Sequence, residues 1–135
     1  TSWIGVETLR SKSSLGETFW DWGIPTAASV AQLSGFKFDI VATGGIRNGL
    51  DIARAIALGA TAGGIARLFL QAWRAGGQKG ASVLAKRIID EIRLAHLLTG
   101  SPSPDILRVQ PVVLGQRLMR WVPAECPLSS KLPSQ

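Results

Sequence analysis

Ile40-Val41-Ala42-Thr43-Gly44-Gly45-Ile46-Arg47-Asn48-Gly49 is the stretch whose reading decides the fold. A short apolar run ends in two adjacent glycines and an arginine. This is the local grammar of a strand that stops in a tight turn before a helix. Adjacent glycines let backbone N–H groups approach an anion with no Cβ in the way, and Arg47 can add a charge-assisted bidentate hydrogen bond to phosphate oxygens. The anion expected here is a phosphate ester, although a two-glycine turn alone is equally compatible with a plain strand-to-helix connection.

Working outward, Leu50, Ala53, Ile56 and Ala57 recur at helical spacing over Leu50 to Leu58, and Gly59 stands where a helix C-terminus favours a left-handed residue. A second small, apolar strand is expected over Ala62 to Ala66, followed by Arg67 and a helical stretch with Leu70, Trp73 and Arg74. A strand, a crossover helix and a strand joined by short loops favour two parallel neighbours, since an antiparallel partner needs only a hairpin. The ligand loops then lie at the C-terminal ends of the strands. In a β/α barrel the last two such loops, near a helix N-terminus, frequently form a phosphate site. Gly44, Gly45, Ile46 and Arg47 on the first loop, with Ala66 and Arg67 on the second, are the expected phosphate-binding residues. Gly-Gly-Ile recurs at Gly63, but inside an apolar run rather than after one, so only the first copy suits a phosphate turn.

The chain has 135 residues, 46% of them hydrophobic, with mean hydropathy +0.21. That suits a globular domain with a core. A complete (β/α)8 fold takes about 250 residues, so the fold class expected is α/β, the C-terminal part of a TIM barrel incomplete in this chain. Thr1 opens the sequence without a leading element, which fits that expectation. The domain expected spans residues 1–122, and the Pro- and Ser-rich stretch 123–135 reads as a disordered tail.

Lys and Arg number 15 against 9 Asp and Glu, giving a formal charge of +6, and the excess lies beyond residue 60. Such an excess suits an anionic ligand, though a solvated helix face and a basic tail account for most of it. Neither an RNA-binding aromatic motif nor zinc spacing is present, so no nucleic-acid partner is expected. Cys126 is the single cysteine, which offers no disulfide framework and no metal cluster. A reducing, cytoplasmic location fits. The uncharged run from Ala55 to Ala66 is too short to span a bilayer, so no membrane partner is expected.

Elsewhere, Phe19, Trp20 and Trp22 crowd a turn before Pro25 and are read as core or a docking corner, with a small-residue helix following to about Gly35. Val83, Leu84, Ile88, Glu91, Ile92, Ala95 and Leu98 trace an amphipathic helix from about Gly80 to Leu98, expected to cover the sheet. His96, without a second ligand one turn away, is read as a packing or surface histidine. Ser103-Pro104-Asp105 starts a short helix over Ile106 to Val109, and Val112 to Val122 is a final apolar segment.

Taken in order, Thr1-Ser2-Trp3, Asp21-Trp22-Gly23-Ile24-Pro25-Thr26, Thr43-Gly44-Gly45-Ile46-Arg47-Asn48-Gly49, Ala55-Ile56-Ala57-Leu58-Gly59-Ala60 and Gly64-Ile65-Ala66-Arg67 resemble the type 2 isopentenyl diphosphate isomerases. Gly-Gly-Ile-Arg is shared with other phosphate-binding barrels; Trp-Gly-Ile-Pro-Thr and Thr-Ser-Trp discriminate better. The resemblance implies an FMN-dependent β/α barrel of isoprenoid biosynthesis that interconverts isopentenyl and dimethylallyl diphosphate, with NADPH to reduce the flavin and a magnesium ion. It further implies a homo-oligomeric complete enzyme. On the matching positions, Thr1 would bond the flavin's phosphate-bearing side chain, Gly45 to Arg47 would hold the FMN phosphate after the seventh strand, and Ala66 with Arg67 after the eighth. Leu68 departs from the proline often found after that arginine, and the family's acid–base, diphosphate and magnesium residues have no counterpart in these residues. No catalytic or metal-binding residue is therefore assigned, and the isolated chain is expected to be inactive. Two other readings stay open: half of an α-hydroxy acid oxidase or IMP dehydrogenase type barrel, or a truncated paralogue acting as an interaction module.

Overall fold

The computed structural model describes residues 26–122 together with Cys126 and Leu128. The chain order is helix α1 (Thr26–Leu33), strand β1 (Val41–Ala42), helix α2 (Gly49–Ala57), strand β2 (Ala62–Gly63), helix α3 (Arg67–Leu98), helix α4 (Pro104–Val109) and helix α5 (Gln116–Met119). The two strands pair in parallel, Val41 opposite Ala62 and Ala42 opposite Gly63. The expected strand-helix-strand crossover is therefore present, and both strands exit at the same end. The second strand is shorter than the run Ala62 to Ala66 suggested, because the chain leaves the ladder after Gly64 donates its N–H to the Ala42 carbonyl at 2.7 Å.

Helix α2 is the centre of the packing. Asn48 caps it, its Oδ1 accepting the Asp51 N–H at 2.8 Å. Ile52, Ala53 and Ile56 face one apolar cluster with Ile88, Ala95 and Leu107, while Ala55 and Leu58 face another with Val30, Ala31, Ile40, Ala42 and Ala60. Leu50, placed on the apolar face by spacing alone, is exposed. At the far end Gly59 turns the chain with φ +114°, and a side chain there would run into Ser34. Gly63 has a similar role in the strand, since a Cβ would press into Ile52. Glycine at this position lets α2 lie close on β2.

The expectation that the Gly80 to Leu98 helix covers the sheet is corrected: α3 packs chiefly on α2. Gly49 sits so tightly on α3 that a Cβ would collide with the Ile88 carbonyl. Of the stripe read from the sequence, Ile88 and Ala95 are buried, Leu84 and Ile92 are half-buried, and Val83 and Leu98 are exposed. Ser103 caps α4 as its sequence suggested, accepting the Ile106 N–H at 3.3 Å. The apolar segment after α4 is extended through Val112, Val113 and Leu114, which alternate in, out and in, and then makes the one turn of α5.

Within the stretch expected to be a disordered tail, Cys126 and Leu128 are buried in the cluster around α1, with the Cys126 thiol donating to the Ala31 carbonyl at 3.0 Å. For these two residues the expectation fails. Their apolar side chains find a seat that the surrounding prolines and serines conceal at the level of composition. The rest of 123–135 lies outside the described residues.

Candidate phosphate-binding site

The candidate site is built at the strands' common exit. β1 is followed by Thr43 and then by Gly44 and Gly45, whose φ values of 87° and 77° only glycine adopts freely. Thr26, the first residue of α1, holds this turn: its hydroxyl donates to the Gly44 carbonyl at 2.9 Å and reaches the Thr43 carbonyl at 3.3 Å. In a trans peptide the carbonyl and the next N–H point in opposite directions, and the described backbone holds no cis bond. Drawing those two carbonyls toward α1 therefore turns the Gly44 and Gly45 N–H groups away from it. Among the described residues these amides, and that of Ile46, donate to nothing.

Arg47 contributes only its side chain. Its backbone N–H is taken by the Asp51 carboxylate at 3.2 Å, while the guanidinium is exposed and forms no ion pair among the described residues. The helix that follows is not an open anion seat either. The Asp51 N–H is bound by Asn48, and the Gly49 N–H by the Glu91 carboxylate of α3 at 2.6 Å. Arg87 lies 3.3 Å from the other Glu91 oxygen.

The second loop differs. Gly64 lies against Thr43, so the two loops start side by side. Ile65 tucks toward the core, and Ala66 then begins α3 with no side-chain cap. Ala66 and Arg67 are both exposed. The first turn of α3 thus keeps its orphan N–H groups, with a guanidinium on the same turn. Bare amides from the Gly44–Ile46 turn, an uncapped helix N-terminus and two exposed arginines form a donor set suited to a doubly charged phosphate ester.

The FMN-dependent dehydrogenase family model matches residues 24–113, a span that contains both loops. The chain belongs to that family. Its curated relatives include the isopentenyl-diphosphate delta-isomerases of Methanosarcina barkeri, 46% identical over 84% of this chain and 33% of theirs, and of Thermococcus kodakarensis, 39% identical over 98% of this chain and 37% of theirs. The chain thus spans about a third of the length of the curated relatives it matches, and the resemblance drawn from the motifs agrees with them. Among solved structures, a mandelate oxidase mutant with a monooxide FMN adduct superposes with TM-score 0.55 at 36% identity, covering 62% of this chain and 26% of that one. FMN carries a phosphate ester, and a donor set of bare amides with two exposed arginines is chemically compatible with such a group.

The structure thus brings Gly44, Gly45, Ile46 and Arg47 to the same end of the sheet as Ala66 and Arg67, while Thr1 lies outside the described residues. Sequence reasoning missed Thr26 and Glu91 as residues that act on the loops. An acidic residue inside an apolar helical stripe was the available signal for Glu91; a hydroxyl at a helix start, with no hint of its distant partner, was the only one for Thr26. His96 is held by a 2.7 Å hydrogen bond between Nδ1 and the Ser101 carbonyl, in keeping with a structural histidine. Among the described residues no group of three or more His, Cys, Asp or Glu side chains could hold a metal ion, and no helix is long and apolar enough to cross a membrane.

Proposed function

We propose that this chain is the FMN-phosphate-binding portion of an isopentenyl-diphosphate delta-isomerase, the C-terminal part of a (β/α)8 barrel whose seventh and eighth strands are β1 and β2. One observation carries the reading. Parallel pairing of β1 with β2 sets the unpartnered Gly44–Ile46 amides beside the uncapped start of α3, in a chain whose relatives bear that enzyme's name. In this reading Gly44, Gly45, Ile46, Arg47, Ala66 and Arg67 hold the phosphate, and Thr1 bonds the side chain that carries it. FMN, when bound and reduced, supplies the chemistry next to the carbons that gain and lose protons. The chain's own residues anchor and orient the flavin, and Asp51 and Glu91, both engaged by backbone amides, keep the turn and α2 in place. The complete enzyme is a cytoplasmic homo-oligomer that acts on isopentenyl and dimethylallyl diphosphate with NADPH and magnesium.

The test is titration of the 135-residue chain with FMN and with riboflavin, which lacks the phosphate, followed by flavin fluorescence. Preference for FMN is expected; equal affinity, or binding of neither, refutes the reading. An assay of the same chain with FMN, NADPH and magnesium on isopentenyl diphosphate is expected to give no turnover, because the acid–base groups are assigned to other parts of the enzyme.

A second reading, part of an α-hydroxy acid oxidase, is favoured by the superposition on mandelate oxidase. That match covers 62% of the chain, whereas the isomerase matches run over 84% and 98% of it. Oxidation of a 2-hydroxy acid by the parent enzyme would displace the isomerase reading.

A further inference from the structure

Helix α3 is two helices in one. Gly76 (φ −147°, ψ 17°) and Gly77 (φ 55°, ψ −145°) interrupt it and divide a first segment, from Arg67, from a second that ends at Leu98. Nothing lies within 4 Å of where a Cβ would stand on either glycine. Crowding therefore does not explain their presence. Gly77 combines a positive φ with a strongly negative ψ, a region outside even the left-handed helical basin and in practice reserved for glycine. Beyond the break the chain doubles back closely enough that a Cβ on Gly80 would collide with the Ala72 carbonyl.

The first segment has little burial to fix its direction. The buried residues of α3, Ile88 and Ala95, both lie past the break. Leu70 and Trp73 are 53% and 56% exposed, and Phe69 alone of the segment packs against a core cluster. The second segment, in contrast, is locked to α2 through Glu91 and Gly49. The direction of the uncapped N-terminus thus depends on a backbone break anchored to a well-packed helix.

We infer that Gly77 and Gly80 are positioning residues that aim the first turn of α3, with Arg67, at the anion held by the Gly44–Arg47 turn. This rests on the FMN-phosphate reading above. An alanine at position 77 would shift the break toward continuous helix, and one at position 80 would push the first segment off its seat. Either change swings the N–H groups away from the phosphate while leaving the Gly44–Arg47 turn itself untouched.

The experiment compares FMN and riboflavin affinities of the full 135-residue chain and of Gly77→Ala, Gly80→Ala and Gly76→Ala by flavin fluorescence. The parent chain is expected to prefer FMN. In Gly77→Ala that preference falls roughly tenfold, from the cost of glycine-only backbone geometry, and in Gly80→Ala by a similar factor, from the collision of the new Cβ with the Ala72 carbonyl, with riboflavin affinity unchanged in both; Gly76→Ala, at a negative φ, stays within about twofold. Should Gly77→Ala fail to fold, Gly80→Ala alone decides. An undiminished preference, or equal loss of both flavins, overturns the inference while leaving the FMN reading intact. A parent chain that does not distinguish the two flavins overturns both.

Discussion

Replacing Arg47 with alanine isolates the electrostatic part of the site. The backbone of the turn is held by bonds that the substitution leaves in place: the Thr26 hydroxyl on the Gly44 carbonyl, and the Arg47 N–H on Asp51. The guanidinium itself is exposed and forms no ion pair among the described residues, so its removal is expected to leave thermal stability unchanged within experimental error. A hydrogen bond to a charged group contributes about 1.5–3 kcal/mol, and exposure to solvent puts Arg47 at the low end of that range. The expected loss is then about 1.5 kcal/mol, or about tenfold in FMN affinity. Riboflavin affinity should not move. Arg47→Lys should recover part of the loss as a point charge without the bidentate geometry. Fluorescence titrations at two salt concentrations check the assignment, since the FMN preference of the parent chain should weaken with salt more than that of the alanine variant. Equal losses for both flavins, or none for FMN, would refute the phosphate role of Arg47.

Thr26→Val removes the hydroxyl that turns the Gly44 and Gly45 amides outward; about 1 kcal/mol of stability and several-fold FMN affinity should be lost together, by denaturation and titration respectively. Asn48→Ala removes the cap of α2 and should cost about 1 kcal/mol in urea unfolding. Glu91→Ala strips the partner from the Gly49 N–H and should cost about 1.5 kcal/mol, with Glu91→Gln restoring much of it because an amide oxygen still accepts. Leu128→Ala, at a fully buried position, should cost about 2–5 kcal/mol; an unchanged midpoint would show that this residue does not pack against α1.

The crossover and its glycine turn were legible because they rest on local chemistry. Gly44 and Gly45 announce a tight turn and Gly59 announces a helix end; each does in the structure what its residue type allows. The destination of α3 was not legible. Its apolar stripe says only that one face is covered, and spacing cannot distinguish a sheet from a helix as the cover. That choice is made by Gly49, whose missing side chain lets α3 approach α2 at backbone distance, and by Glu91, whose partner lies 42 positions away in sequence. Thr26 was illegible for the same reason: its hydroxyl acts on carbonyls 17 and 18 positions distant. Cys126 and Leu128 were hidden by the prolines and serines around them, because composition averages over a segment while burial is settled one side chain at a time.

The two helix starts at this end of the sheet are treated oppositely, and that asymmetry bears on where the anion goes. A helix N-terminus carries orphan N–H groups and roughly half a positive charge, so either start could seat a phosphate. At α2 two of those donors are consumed internally, with Asn48 on the Asp51 N–H and the Glu91 carboxylate on the Gly49 N–H. A carboxylate fixed there also repels a second anion from that helix. At α3 no side chain caps Ala66, and Arg67 adds a positive charge to the same turn. The preceding turn presents its own unpartnered amides from Gly44 to Ile46 on the strand that pairs with β2. Among the described residues one helix start is thus largely closed by the chain itself and the other left open, which is the physical reason the proposed phosphate seat is drawn between the first turn of α3 and the glycine turn rather than at α2.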